Sequence, residues 1–299
     1  MDASLFEPSL RGFAGYCLGF LARYALVAGG LYLVLHVLFR EKWRPWRIQP
    51  SFPGRREVGY EIGWSAINTM CTGLTTVMLY RLIGQGRTAM YFDLGQEGAA
   101  WWFASVLACI AGYDTWIYWQ HRALHTPWLF RHVHSVHHRL RNPTGFAAFA
   151  QHPVETFLGN AYFVLFLLYV PIHPTALAAA GAYMFGFGVL AHSGYEFYPP
   201  GFTRHRVLGW LNTSTNHNLH HRDVNWNFGN WFVFWDTALG TLHPRYHEEF
   251  DEVAMRGRCA GGLFRSLWSM LPGTRSRSQA IAPDCVVRAD AARGAGSCE

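Results

Sequence analysis

The stretch AAWWFASVLACIAGYDTWIYWQHRALH, residues 99–125, decides the fold of this chain. Residues 99–119 carry a single charge, Asp114, and two histidines, His121 and His125, follow almost at once. An apolar run of this length is enough for a helix to cross the roughly 30 Å hydrocarbon core of a bilayer. Because residues i and i+4 share one helix face, both imidazoles can reach one metal ion. The stretch therefore predicts a membrane helix that ends in a metal site.

Other apolar runs extend this prediction in both directions. Residues 13–39 are apolar apart from Arg23 and His36, and residues 62–80 carry no charge. Two shorter runs, residues 157–170 and 176–190, are separated by the segment PIHP, residues 171–174. At a rise of 1.5 Å per residue each shorter run covers roughly 22 Å, less than the hydrocarbon core. We therefore expect an all-α integral membrane bundle of three spans plus a short hairpin that returns to the same side.

The distribution of charge predicts the orientation of this bundle. The loop at residues 40–57 holds six basic residues, whereas the neighbouring flanks offer only Arg11 and Arg87. Cytoplasmic loops of membrane proteins carry an excess of Lys and Arg, so this loop should be cytoplasmic, as should everything after residue 119. The net charge of +6 indicates contact with anionic lipid and no nucleic-acid partner, because the basic residues flank apolar runs.

The remaining composition indicates one folded domain and a tail. Residues 1–255 should form a single membrane domain, and residues 256–299 a tail rich in Arg, Gly, Ala and Ser, disordered from about residue 273. The six cysteines form no CxxC pair, which favours buried or free thiols over a disulfide framework. The N-terminal segment has no basic region before its apolar run, unlike a signal peptide.

Three histidine motifs carry the chemistry among the 16 histidines of the chain. They are HRALH at residues 121–125, HSVHH at 134–138 and HNLHH at 217–221. Within each motif the histidines three or four residues apart share a helix face, while an adjacent one points about 100° away and can serve a neighbouring metal. Eight imidazoles exceed the four ligands of one zinc ion and suit two metals with open positions, an arrangement that favours oxygen activation. The predicted ligands are His121, His125, His134, His137, His138, His217, His220 and His221.

Shorter motifs surround the histidines. They are Pro143-Thr144, the segment HPVE at 152–155, the segment NFG at 227–229 and the segment WDTALGT at 235–241. With the histidines, they make residues 100–245 resemble the fatty acid hydroxylase and sterol desaturase superfamily of membrane enzymes. The resemblance implies two iron ions, molecular oxygen as co-substrate and hydroxylation or desaturation of a lipid. It also implies an external electron donor, either a cytochrome b5-like protein or a ferredoxin with its reductase.

Five further residues are candidates for the site. By the resemblance, His192 in the segment AHSG would be a ninth metal ligand, and His152 would be a ligand or would support one. Glu155 and Asp236 can orient imidazoles through their second nitrogen, although Asp236 can equally cap local backbone. Asp114 lies seven residues before the first motif on the same helix face. It would support that motif or form an interhelical hydrogen bond.

These features favour hydroxylation of an unactivated C–H bond in a fatty acyl, sterol, carotenoid or amino-lipid substrate, with a lipid or sterol desaturase as the alternative. A histidine-rich metal transporter would place its ligands within the spans. A metallohydrolase would need a carboxylate base such as that of HExxH, and a binding protein with a dead site would lack some of the histidines. We predict no catalytic residue beyond the metal ligands. The chain has no Gly-rich nucleotide-binding loop, so the electrons must come from a separate protein.

Overall fold

The computed structural model describes residues 10–259, which form helices with no strand beyond two isolated bridges. The prediction of an all-α fold is therefore confirmed. The tail predicted to be disordered from residue 273 lies outside the described residues, and a helix continues to residue 259 where the tail was expected to begin at 256. The longer helices are α1 (Leu10–Leu38), α2 (Arg55–Gly84), α3 (Leu94–Leu124), α4 (Pro153–Tyr169), α5 (Pro174–Ala191), α6 (Ser214–Arg222) and α7 (Tyr246–Cys259).

The third helix begins and ends where the sequence indicates. Asp93 caps its first turn by accepting a hydrogen bond from the Gly95 amide at 2.9 Å. Gly98 then adopts a positive φ of 76°, which glycine tolerates without steric cost, so that the regular apolar helix begins after it. The helix continues to Leu124, which places the first histidine motif on its last turn.

The two hairpin helices are longer than their apolar runs. Pro153 and Pro174 occupy first-turn positions, where a missing amide hydrogen costs nothing, and the preceding His152 and His173 cap the helices through their side chains. Helices α4 and α5 therefore hold 17 and 18 residues, or roughly 26 and 27 Å. Both helices are consequently longer than the apolar runs that predicted them, and how far the hairpin enters a membrane stays a prediction.

The turn of this hairpin lies beside the loop that joins α2 to α3. The Ala89 amide donates to the Leu167 carbonyl at 2.8 Å, and the Trp101 indole donates to the Pro171 carbonyl at 3.0 Å. A core of buried side chains, among them Cys109, fills the space between α3, α4 and α5. The hairpin thus reaches the end of the bundle that is opposite the histidine motifs.

Two of the helices, α1 and α5, are long and apolar enough to cross a membrane by length and composition, and α4 is apolar but shorter. Helices α2 and α3 are longer, yet their Thr, Asn, Trp and Tyr residues lower their mean hydropathy. Their membrane crossing, and with it the count of three spans, stays a prediction.

A cap of short helices covers the other end of the bundle. Helix α6, which carries the third histidine motif, is buried over residues 214–221. Its first turn is capped by the Thr213 hydroxyl, which accepts from the Asn216 amide at 3.1 Å. Phe202, Tyr246 and Phe250 pack around it and tie it to α7. This burial fixes the directions in which the imidazoles of α6 point.

Candidate metal centre

The nine predicted histidine ligands come together in two groups at the cap end of the bundle. Within each group the potential ligand nitrogens all lie within 4.8 Å of one another. For a metal–nitrogen distance of about 2.1 Å, nitrogens at right angles are about 3.0 Å apart and opposite ones about 4.2 Å apart. Each group could therefore hold one metal ion. Group one is His121, His125, His134, His138 and His220, and group two is His137, His192, His217 and His221.

Each HxxHH motif contributes to both groups. In the second motif the histidines four residues apart belong to group one, whereas His137 turns to group two. In the third motif, His217 and His221 belong to group two, whereas His220 turns to group one. The second motif begins in a π-helical turn, Phe130–His134, a distortion that is frequent at functional sites. Because both motifs bridge the groups, they hold the two sites side by side.

The outward nitrogens of five imidazoles are held by fixed acceptors. A carbonyl or carboxylate oxygen can only accept a hydrogen bond, so the proton of each of these imidazoles lies on Nδ1 and the Nε2 lone pair is free for a metal. The five bonds run from Nδ1 of His121 to the Phe228 carbonyl (2.9 Å), His134 to Glu155 (3.0 Å), His137 to the Ala150 carbonyl (3.2 Å), His192 to the Gly188 carbonyl (2.8 Å) and His220 to the Trp226 carbonyl (2.6 Å).

The inward nitrogens show that these residues fit a metal. Nε2 of His121, His125 and His134 is buried and has no hydrogen-bond partner among the described residues. A buried polar atom without a partner is costly, and a metal ion would satisfy all three at once. In group two, Nε2 of His192 lies 2.8 Å from Nε2 of His217. Two lone pairs at that distance repel unless a proton or a metal ion lies between them.

Eight of the nine histidines have lowered pKa values and are neutral at physiological pH, as metal ligation requires. Burial, reinforced by neighbouring imidazoles, lowers the pKa of His125 and of His192 to about 3 and that of His137 to about 4. Burial is also the main reason why the pKa values of the other deeply buried members are lowered. These are His121, His138, His217, His220 and His221.

The four supporting candidates have different positions. Only Glu155 contacts an imidazole directly, through the bond to His134 described above. Asp236 accepts hydrogen bonds from the Phe228 and Gly229 amides, both at 2.8 Å, and thereby fixes the carbonyl to which His121 donates. Burial raises the pKa of Asp236 to about 6.

Asp114 and His152 hold backbone segments. Asp114 accepts from the amides of Trp231 and Phe232, at 2.8 and 3.2 Å, and so anchors the loop after α6 to α3. His152 accepts from the Val154 amide at the start of α4 and belongs to neither group. Both residues shape the site through the backbone.

Sequence reasoning missed three buried side chains that shape the same region. Asn227 has a positive φ of 60°, which asparagine tolerates, and its amide donates to the Asn216 carbonyl at 3.0 Å. Glu61 contacts the Thr144 amide and hydroxyl after the second motif. Glu196 accepts from the Thr215 amide and hydroxyl in α6. Glu61 directly precedes the apolar run at residues 62–80, and a charged residue at that position could have indicated a functional role.

A cavity of about 290 Å³ leads from the two groups into the helix bundle. Imidazoles of both groups line its inner end, and its walls come from α1 to α5 and the turn at residues 145–149. Along α5 it extends from His192 to Gly181, eleven residues or about 16 Å. Phe20, Phe149 and Phe185 pack together on one side, with Phe149 stacked on Phe185 and Phe20 edge-to-face with both. The cavity can hold an elongated apolar molecule with one carbon beside the imidazoles.

Comparison with known proteins agrees with this geometry. Residues 106–241, which contain all nine histidines, match the family model described as fatty acid hydroxylase. The part of the chain that holds the histidine groups is therefore similar to the fatty acid hydroxylase family. Both this match and the accessory motifs cover the metal centre and the helices that lead to it.

Individual proteins to which this chain is similar are sterol enzymes by name. The chain is 29% identical to lathosterol oxidase of Rattus norvegicus over 197 residues, 65% of this chain and 64% of that protein. It is 29% identical to Delta(7)-sterol 5(6)-desaturase of Leptosphaeria maculans over 168 residues, 55% and 44% of the two chains. It is 35% identical to cholesterol 25-hydroxylase of Rattus norvegicus over 149 residues, 48% of each. The chain thus spans less than two thirds of the length of these relatives. No solved structure matches it.

Proposed function

We propose that this chain is a membrane-embedded di-iron oxidoreductase that hydroxylates an unactivated C–H bond of a lipid, with O₂ and electrons from an external donor. The observation that carries the proposal is the pair of buried imidazole groups at the inner end of the cavity. Desaturation on the same scaffold is the second candidate, because relatives are named both for desaturases and for a hydroxylase.

The protein's contribution is to hold the metals and to position the lipid. When bound, two iron ions would supply the activation of oxygen and the removal of hydrogen from carbon. The nine histidines would hold the ions, while Glu155 and the Phe228 carbonyl fix the orientation of His134 and His121. The aromatic wall of the cavity excludes water from the reacting carbon. No side chain has to act as a general base in this scheme.

The surface of the bundle supports a membrane location. Large apolar side chains are exposed on its outside, including Leu18 and Leu26 on α1 and Phe103 and Leu107 on α3. Exposed apolar side chains of this size on several helices fit contact with lipid chains. The basic loop at residues 40–57 lies at the histidine end, since the Gln49 side chain bonds to the Arg141 carbonyl at 2.7 Å. By the excess of basic residues, the metal centre would face the cytoplasm.

Electrons would come from another protein. The sequence carries no nucleotide-binding loop and no segment typical of a cytochrome or ferredoxin. A cytochrome b5-like protein or a ferredoxin with its reductase would therefore deliver them on the cytoplasmic side. Reconstitution with each donor in turn would identify which of the two supports turnover.

The test is to purify the chain in detergent, to measure bound iron and to follow oxygen uptake with reductant and a sterol mixture. We expect about two irons per chain, with lipid-dependent oxygen uptake. A product heavier by one oxygen indicates hydroxylation, and a product lighter by two hydrogens indicates desaturation.

Matched histidine variants sharpen this test. His137→Ala and His220→Ala should each abolish turnover, because each removes a ligand from one group. His132→Ala is the control, since His132 is exposed, bonds to the Trp128 carbonyl and lies outside both groups. Full turnover of the first two variants would refute the proposed function.

A further inference from the structure

One wall of the cavity is polar, in contrast to its aromatic side. Asn68 and Thr72 on α2 and Asn160 on α4 line this wall. Polar side chains in an apolar cavity are costly unless they are hydrogen-bonded. These side chains therefore either join α2 to α4 by hydrogen bonds or bind a polar group of a ligand in the cavity.

The hydrogen bonds that join the Thr72 and Asn160 side chains to their neighbours in this wall are long. Asn160 Nδ2 donates to the hydroxyls of Thr72 and Thr75 at 3.3 Å each, and the Thr72 hydroxyl donates to Asn68 Oδ1 at 3.4 Å. Ordinary bonds of these types are about 2.9 and 2.8 Å long. By comparison, Asn68 Nδ2 lies 2.9 Å from the Thr156 hydroxyl. Thr72 and Asn160 are thus weakly bonded polar groups at the edge of a cavity.

We propose that Thr72 and Asn160 form a subsite for a hydroxyl group of the lipid substrate. This inference rests on the proposed function and narrows its substrate class to lipid alcohols. A hydroxyl both donates and accepts, so it can bond to the Thr72 hydroxyl and to the Asn160 amide together. A carboxylate would lack a counter-ion there, because the described residues that line the cavity include no Arg or Lys. A lipid alcohol therefore fits the wall better than a free fatty acid.

The position of the subsite also limits which carbon reacts. Asn160 follows Glu155 by five residues on α4, so the two lie about 7.5 Å apart along the helix axis. Glu155 contacts His134 of group one. A lipid whose hydroxyl sits at Asn160 therefore brings carbons close to that hydroxyl beside the imidazoles. The new oxygen or double bond should lie within a few carbons of the hydroxyl, at the same end of the molecule.

Two nearly isosteric variants separate this subsite from a purely structural network. Thr72 and Thr75 accept from the same Asn160 amide at the same distance, yet only Thr72 lines the cavity. Thr72→Val and Thr75→Val each remove one hydroxyl from the helix interface. A network that only joined α2 to α4 would respond similarly to both variants.

The experiment measures binding of radiolabelled cholesterol to the purified chain in detergent. The unlabelled competitors are two alcohols, cholesterol and 1-hexadecanol, and the methyl ether of each. We expect the wild type to prefer an alcohol over its ether. Thr72→Val should weaken binding of that alcohol roughly three- to tenfold, the range for loss of one hydrogen bond, and leave binding of the ether unchanged. Thr75→Val should retain the wild-type preference.

Two results would overturn the subsite. The first is a wild-type protein that prefers neither alcohol over its ether, which includes a protein that binds none of the four compounds. The second is an equal loss of alcohol affinity in Thr72→Val and Thr75→Val. Because binding needs no turnover, failure of the proposed function is a separate outcome. Alcohol preference that depends on Thr72, without any lipid oxidation, would refute the oxidase assignment alone. Lipid oxidation that Thr72→Val leaves unchanged in rate and substrate preference would refute the subsite alone.

Discussion

Among the five imidazoles with fixed outward bonds, His134 differs because its acceptor is a charged carboxylate. Glu155 lies 3.0 Å from Nδ1 of His134, whereas the other four donate to backbone carbonyls. A carboxylate makes an imidazole a more basic ligand than a carbonyl does. Glu155 should therefore strengthen metal binding at group one.

Glu155→Gln should lower the affinity of group one for metal by roughly tenfold or more, because the amide keeps the shape but loses the charge. Glu196→Gln is the matched control, since Glu196 is equally buried but bonds to Thr215 and not to an imidazole. Competition with a chelator for Fe(II) on the purified proteins measures the affinities. Equal affinities of the two variants would contradict a role for the Glu155 charge.

At the residue scale, the sequence predicts which histidines assemble but not how they divide. Spacing and resemblance pointed to nine residues, and the structure brings all nine into two groups. In both HxxHH motifs the histidines four residues apart share a group, as helix geometry predicts, and the remaining histidine turns to the other group. Which group each pair joins depends on how the cap packs against the bundle, and the spacing of the motifs does not encode that packing. The anchoring carbonyls, such as that of Phe228, carry no sequence signature, since any residue supplies one.

At the element scale, the loop between α6 and residue 234 connects the metal centre to the bundle. Asp114 and Asp236 hold it from two sides, through four backbone amides. From the sequence, Asp236 could orient an imidazole or cap local backbone, and Asp114 could support the first motif or form an interhelical hydrogen bond. The partners of Asp114 could not be predicted, because they lie more than 100 positions away along the chain.

Gly229→Ala should destabilise this loop and lower iron content at group one. A Cβ at this position would lie 2.5 Å from the Phe232 carbonyl oxygen and 2.8 Å from Asp236, so the backbone must shift. We expect a loss of about 1–3 kcal/mol in the free energy of unfolding, as for other overpacked sites. Thermal unfolding in detergent and iron analysis measure the two effects.

The control for Gly229→Ala is Gly63→Ala, inside helix α2, where nothing lies within 4 Å of an added Cβ. That variant should be neutral or stabilised by about 0.5–1 kcal/mol, because alanine favours the helix. If Gly229→Ala proved as stable and as rich in iron as Gly63→Ala, the loop would not be the support that holds His121.

At the scale of the whole molecule, five helices run between two ends of one bundle. The histidines and the basic loop at residues 40–57 occupy one end. The loop between α2 and α3 and the turn after α4 meet at the other end. Apolar length alone suggested that the hairpin stops within the membrane. The capped first turns of α4 and α5, which start before the apolar runs, make both helices longer than those runs.

This arrangement predicts which positions a membrane-impermeant maleimide can reach in intact cells. Gln85→Cys, before the α3 helix, and Tyr169→Cys, at the end of α4, both lie at the end opposite the histidines, and both residues are exposed. Since the basic loop favours a cytoplasmic histidine end, both cysteines should react from outside. Exposed Arg206→Cys, in the cap, should react only after permeabilisation.

The unsubstituted chain, with its own six cysteines, sets the background of the labelling. A Tyr169→Cys variant that stays unlabelled while Gln85→Cys reacts would show that the hairpin ends inside the bilayer, as its apolar length suggested. Labelling of Arg206→Cys from outside would invert the topology. It would place the metal centre away from cytoplasmic electron donors, so an electron source on the opposite side would then be required.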